Sequence, residues 1–381
     1  METSASQNAH TSPWRGLWAG STSTLSPDTI DVPMEVPDTS SHNVFDDAAR
    51  RNTDAVGSGL AVDIADVSFR LVASDPRRVT VVEDLLGGLA RTTRPAEATV
   101  HLTQRRPAVP DRPPDETTNA IHVWYTDDRI AVDCATGLSA VADGAHAEIG
   151  GETPSSEFPW SFRSVFQLLV THMLAFHERF VLHGGAIATD QGAILVLGHT
   201  GKGKSTAIFA ALQAGWEALS DDLVVVRQDT QGLFVCGIPR PLAVPPDVAG
   251  AVRADGRVMP DDPRGRIELA PDGLSAGWRR VLGTVSVEHG GDPDGALVAL
   301  DGASAFRLLL DSSTASANPR LLPKFFSCAA ALGRLPAWRL EHAPDPERRL
   351  RSAARLLQAA IVELPSVDQA HDGAQEDVNR R

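Results

Sequence analysis

The sequence predicts a mixed α/β fold, in which a sheet with both parallel and antiparallel neighbours is flanked by helices and preceded by a small α+β lobe. Three observations predict it. Gly198-His199-Thr200-Gly201-Lys202-Gly203-Lys204-Ser205-Thr206 fits G-x-x-x-x-G-K-[ST] at every position, after the apolar run Ala193-Ile194-Leu195-Val196-Leu197. A second apolar strand, Phe180 to Ala188, turns back through Thr189-Asp190-Gln191-Gly192 into that run, so the two are antiparallel neighbours. Ser220-Asp221-Asp222 then opens a third strand, Leu223-Val224-Val225-Val226.

The chain has 381 residues, 42% of them hydrophobic, enough for one large domain or two ordinary ones with a sizeable core. Its net charge of −14, from 35 basic and 49 acidic residues, argues against a general nucleic-acid binder and leaves any anionic ligand to a local site. Cys134, Cys236 and Cys328 are far apart and form no CxxC, so neither a disulfide framework nor a zinc pattern is expected. That usage fits a reducing, cytoplasmic setting. No apolar run approaches the ~20 residues of a membrane span, and no secretory signal is seen.

Taken in order, residues 1–58 are rich in Ser, Thr, Asp, Asn and Pro and read as a disordered leader, interrupted by Trp14 and Trp18. Residues 59–155 read as the small α+β lobe. Val62, Ile64, Val67, Phe69 and Leu71 suggest a strand, Val81 to Ala90 a short helix, and Val100-His101-Leu102 another strand. Arg105 to Thr118 is a proline-rich loop, and Ile121–Tyr125 with Ile130–Cys134 flank a four-residue turn as a hairpin.

Residues 156–365 read as the nucleotide-binding domain. Phe162, Phe166, Leu169, Met173, Phe176 and Phe180 recur at steps of four and three, one apolar stripe on a helix from Ser161 to Phe180. His172 and His177 lie near it as ordinary helix histidines. Strands follow near Arg280 to Val287, Gly295 to Leu300 and Ala337 to Leu340. Helices are expected from Leu321 to Leu332 and, after the Asp345-Pro346 start signal, to about Leu364. Residues 366–381 read as a flexible polar tail.

The chemistry lies in the middle of the chain. Gly198, Gly201 and Gly203 allow main-chain N–H groups to turn inward around a phosphate, and the following helix adds its positive end. The loop residues His199, Thr200, Lys202 and Thr206 belong to the same cradle. Lys204 can reach the β- and γ-phosphates of ATP, and Ser205 can hold Mg2+ through its hydroxyl. Asp221 and Asp222 stand 17 and 18 residues after Lys204. One carboxylate can bind the metal while the other takes a proton from an attacking hydroxyl. His183 lies on the strand beside the loop. Arg240, in Pro239-Arg240-Pro241-Leu242, is a candidate contact to phosphate or substrate or a solvent arginine.

Leu182-His183-Gly184, the Gly198–Thr206 loop, Ala214-Gly215-Trp216 and Leu219-Ser220-Asp221-Asp222 together resemble the catalytic domain of HPr kinase/phosphorylase. Within that family the chain looks most like members encoded with peptide natural products such as lasso peptides. The resemblance implies a mixed sheet similar to that of phosphoenolpyruvate carboxykinase, and ATP-dependent phosphorylation of a serine hydroxyl on a peptide or protein. It makes His183 the active-site histidine, Lys204 the phosphate-binding lysine and Ser205 a Mg2+ ligand. It makes Asp221 the base and Asp222 its neighbour at the metal. Relatives are often oligomers, so a homo-oligomer is a further expectation. In the family a Glu in a Glu-x-Arg-Gly stretch completes the metal site. Phe234-Val235-Cys236-Gly237 stands here, with no carboxylate, which leaves the reverse, phosphorolytic reaction and a second metal site open. A small-molecule acceptor and a non-catalytic nucleotide-binding module remain alternatives.

Overall fold

A computed structural model describes residues 58–364, except residues 74, 76–77, 80–81, 83–90, 119, 127, 153–157, 239–241, 252–256, 259–265, 270–276 and 315–317. The leader with Trp14 and Trp18, most of the helix expected at Val81 to Ala90, Arg240 and the tail lie outside the described residues.

Alternating apolar residues build the first sheet. β1 (Ser58–Ile64) and β2 (Val67–Ala73) form a hairpin where one strand is expected. The three-residue step from Ile64 to Val67 breaks the strand period, and Ala65 and Asp66 turn the chain there with φ of 52° and 62°. β3 (Ala98–Thr103), β4 (Glu116–Thr118), β5 (Ile121–Tyr125) and β6 (Ile130–Cys134) follow. β7 (Leu138–Ala142) and β8 (His146–Gly151), strands with no counterpart in the sequence reading, complete a sheet of order β1-β2-β3-β8-β7-β6-β5-β4.

Helix α1 (Phe158–Phe176) covers this sheet. Phe162, Phe166, Leu169 and Met173 are buried in one cluster with side chains of β1–β3 and β5–β8 and with Val181, Leu223, Val225 and Cys236 of the second sheet. Each such side chain contributes about 1.5–3 kcal/mol. The helix stops four residues earlier than the stripe suggests. Glu178 adopts φ 58° and Arg179 N bonds back to Leu174 O, so Phe180 starts a strand instead. Asp66 ties the layers together by accepting from both Arg179 and Arg227.

His172 of α1 is fully buried, and burial holds its ring down to about 4 against a hydrogen bond to the Asp128 main chain. Its folded-state value is depressed, so protonation favours the unfolded chain and stability falls as pH drops from 6.5 toward 4. His172→Leu should therefore gain about 3 kcal/mol on the wild type between pH 7 and pH 4. Urea unfolding of both proteins at the two pH values checks this, and an unchanged difference would refute it.

The second sheet carries the chemistry-bearing residues. It contains β9 (Phe180–His183), β10 (Gly185–Thr189), β11 (Gly192–Leu197), β12 (Glu217–Ser220), β13 (Leu223–Asp229) and β14 (Gly232–Gly237), with helix α2 (Lys204–Gln213) after β11. β15 (Leu242–Val244), α3 (Pro246–Ala251), β16 (Arg257–Val258) and β17 (Ile267–Leu269) form a small three-stranded annex. β18 (Arg279–His289), β19 (Ala296–Ala299), α4 (Gly302–Ser312), α5 (Leu322–Leu332), β20 (Ala337–His342) and α6 (Pro346–Val362) complete the chain. β18 lies parallel to both β11 and β20, while β10 and β11 are antiparallel as expected, so the sheet is mixed.

The order β12-β10-β11-β18-β14-β13-β9 puts β9 and β10 far apart along the path, although only Gly184 separates them in sequence. Likewise only Asp221 and Asp222 separate β12 from β13. Links this short span a few ångströms, so the sheet curls until its two ends meet there. The curl encloses Leu182, Ala186, Leu195, Leu219, Val224 and Val235 with Phe325 and Leu309 from the helices. Outside, α2 and α6 pack on β10, β11 and β20. Among the described residues no helix is long and apolar enough to cross a membrane, a statement about helices alone.

Candidate functional site

The two links that join the sheet's ends hold the titratable residues. His183 closes β9 before Gly184, and Asp221-Asp222 is the other link. Gly184 N donates to Asp222 O at 3.0 Å, stitching one link to the other. A Cβ at Gly185 would lie 3.0 Å from Asp221 Cα, so glycine there lets the carboxylate step approach β10.

The loop between β11 and α2 faces these links. Gly198, Gly201 and Gly203 have φ of 135°, 83° and 101°, a region that disfavours side chains. Gly203 caps α2 with no side-chain hydrogen bond, leaving first-turn N–H groups and the positive helix end for an anion. His199 and Thr200 are exposed at the rim and Lys202 is half-buried. Thr206 is buried, so of the expected cradle residues it offers only its main chain.

Lys204 begins α2 and is 6% exposed. Its Nζ donates to Gly198 O at 2.7 Å and lies 3.4 Å from His183 Nε2. Burial pushes the ammonium down to about 8, with Asp222 and Asp221 pulling the other way. Thr200 Oγ1 also lies 3.4 Å from His183 Nε2, and His183 Nδ1 lies 3.4 Å from Asp222 Oδ1. With donors facing Nε2, the ring proton belongs on Nδ1, toward Asp222.

The carboxylates sit in different surroundings. Asp221 is 7% exposed, and burial followed by the charge of Asp222 pushes it up to about 6 against hydrogen bonds from Ser205 and Ala243 N. Asp222 has a side chain 40% exposed. Burial works against its ionisation, but the His183 hydrogen bond and the charges of Arg163 and Lys204 hold it below the usual carboxylate range. Two neighbouring acids whose affinities for a proton are driven apart make a natural base and anion pair.

The structure thus brings His183, Gly198, Gly201, Gly203, Lys204, Ser205, Asp221 and Asp222 together, while Arg240 lies outside the described residues. Four neighbours were not found from sequence. Arg163 is the lone basic residue of α1, a signal that could have marked it. Arg266 acts on Asp221 from beside β17. His289 and His342 reach loop carbonyls from β18 and β20, and no local pattern marks them.

The donors suit Mg2+, which prefers a few hydroxyl and carboxylate oxygens together with phosphate. Ser205 and Asp222 offer such oxygens beside the uncapped helix start. Among the described residues no three His, Cys, Asp or Glu side chains gather as an all-protein metal cage.

No protein-family model matches this sequence, and no curated protein matches it. Solved structures do match, among them that of the Hpr(Ser) kinase/phosphatase from Coxiella burnetii. It is 13% identical and similar over 51% of this chain and 96% of that one, with a TM-score of 0.27.

Proposed function

We propose that the chain is an ATP-dependent kinase that transfers the γ-phosphoryl group to a serine, or similar, hydroxyl of a peptide or protein such as a ribosomal natural-product precursor. One observation carries the reading: a buried lysine at an uncapped, glycine-rich helix start lies within the fields of two adjacent carboxylates with divergent proton affinities.

In this reading the loop from Gly198 to Ser205 and the α2 N-terminus hold the β- and γ-phosphates, and Lys204 exchanges Gly198 O for a phosphate oxygen. Ser205 and Asp222 would hold Mg2+, which when bound neutralises charge on the phosphates. Asp221, raised toward neutrality, accepts the acceptor hydroxyl proton. The hydroxyl oxygen forms a bond to the γ-phosphorus as the bond from that phosphorus to the β,γ-bridging oxygen breaks, and ADP leaves. His183, bridging Lys204 and Asp222, keeps the two charges in fixed relation.

The test is incubation with γ-labelled ATP and Mg2+, with serine peptides encoded beside this chain in one set and pooled hydroxyl metabolites in another. Label on a peptide serine is expected. Label only in a metabolite would move the acceptor to small molecules, and label that never leaves ATP with any acceptor would overturn the kinase reading.

A further inference from the structure

Two histidines hold the glycine loop from behind. β18 and β20 are parallel and in a register that pairs His289 with His342. His342 Nε2 lies 3.0 Å from Gly203 O, and His289 Nε2 lies 3.0 Å from Gly201 O. A carbonyl only accepts, so each Nε2 carries a proton and donates. His342 is wholly buried and its Nδ1 has no hydrogen-bond partner, as that tautomer requires of a ring enclosed on all sides. A Cβ at Gly203 would meet its Cδ2 and Nε2 at 2.5 Å, so the ring lies flush against the loop. Burial, helped by the charges of Arg349 and His289, keeps it down to about 4 despite the Gly203 bond, so it is a neutral donor near pH 7.

The consequence follows from peptide geometry. A trans peptide places C=O and N–H on opposite sides. Gly203 O faces His342 and also accepts the α2 bond from Ala207 N at 2.9 Å. The Lys204 N–H across the same peptide is therefore turned away from His342, among the uncapped N–H groups at the helix start. Donors whose direction is fixed beforehand bind an anion without the cost of ordering the loop on binding.

We infer that His342, with His289 at the exposed rim, is a positioning residue of the loop: by fixing the Gly203 and Gly201 carbonyls, the pair aims the loop's amides at the polyphosphate of the donor nucleotide. This rests on the nucleotide reading of the site. It assigns a function to two residues far from the motif in sequence and distinct from the groups that touch substrate.

Calorimetric titration of the full chain with ATP–Mg2+ and with tripolyphosphate tests it on wild type, H342L, H342Q and H289A. Leucine fills the space without a donor, whereas glutamine keeps an N–H near the Nε2 position. H342L is expected to weaken both ligands about tenfold, H342Q to stay within about threefold of wild type, and H289A to weaken both about threefold. Nitrogen-15 shifts of the wild-type rings should show His342 protonated at Nε2 and bare at Nδ1. Equal affinities in wild type, H342L and H289A overturn the inference and leave the nucleotide reading standing. A wild type that binds neither ligand removes that reading and the inference together. Should H342L not fold, an unprotonated His342 Nε2 or an unchanged H289A affinity overturns it.

Discussion

Asp221→Asn is expected to bind ATP–Mg2+ as the wild type does and to transfer phosphate about a thousandfold more slowly. Asparagine keeps an oxygen for Ala243 N and the shape of the link between β12 and β13, but cannot take a proton from the acceptor. The same substitution should stabilise the protein. Burial raises the Asp221 carboxyl from 3.8 to about 6, so its ionised form is disfavoured in the fold. For a raised acid the penalty is absent below pH 3.8, grows as pH rises, and is complete above about 6, where it amounts to about 3 kcal/mol before the weakened hydrogen bonds are subtracted. Unfolding at pH 8 without ligand, beside single-turnover transfer, gives both quantities. A group that weakens the fold and speeds the chemistry is a functional group; one whose removal slows nothing is merely an awkward buried acid. Wild-type transfer by the variant would remove Asp221 as the base.

What could be read from sequence was whatever lies within one turn, one hairpin or one helix. The strand Ala193–Leu197 with its glycine loop, the return through Thr189–Gly192 and the Asp345 cap of α6 are local patterns, and the cap is formed, Asp345 accepting from Arg348 N. The curl was not local. It follows from β9 and β10 lying on opposite arms of one sheet, and only the chain of pairings from β11 through β18, β14 and β13 to β9 reveals it. The same holds within the site. Lys204 and Asp221 can be listed from motif spacing, but that Gly184 stitches the two links depends on the pairing of β9 with β13, and that His342 lies behind Gly203 depends on register between elements more than a hundred residues apart. The hairpin at Ala65-Asp66 escaped for a different reason. Its turn uses non-glycine residues in left-handed conformation, which no turn signature marks.

Lys204→Met should fail one step earlier than Asp221→Asn. Methionine fills the slot of the lysine stem, which is buried, but offers phosphate no charge. A hydrogen bond to a charged group contributes about 1.5–3 kcal/mol, so ATP should bind roughly fiftyfold more weakly. Transfer at saturating ATP should fall by a further several hundredfold, because charge grows on the departing phosphoryl group and a buried donor there has no water to replace it. Lys204→Arg should not restore the function. The slot is shaped by Gly198 O and the His183 ring around a compact ammonium, and a planar guanidinium does not take that place. Lys204 is also one of the charges that keep Asp222 ionised, so the methionine variant should need more Mg2+ for whatever transfer remains. Titrating ATP and Mg2+ against each variant separates the two cases. Loss of binding in Lys204→Met beside retained binding in Asp221→Asn assigns donor and acceptor handling to the two sides of one site. If Lys204→Met bound ATP as tightly as the wild type, the ammonium parked on Gly198 would be structural, and the loop would not be the phosphate cradle.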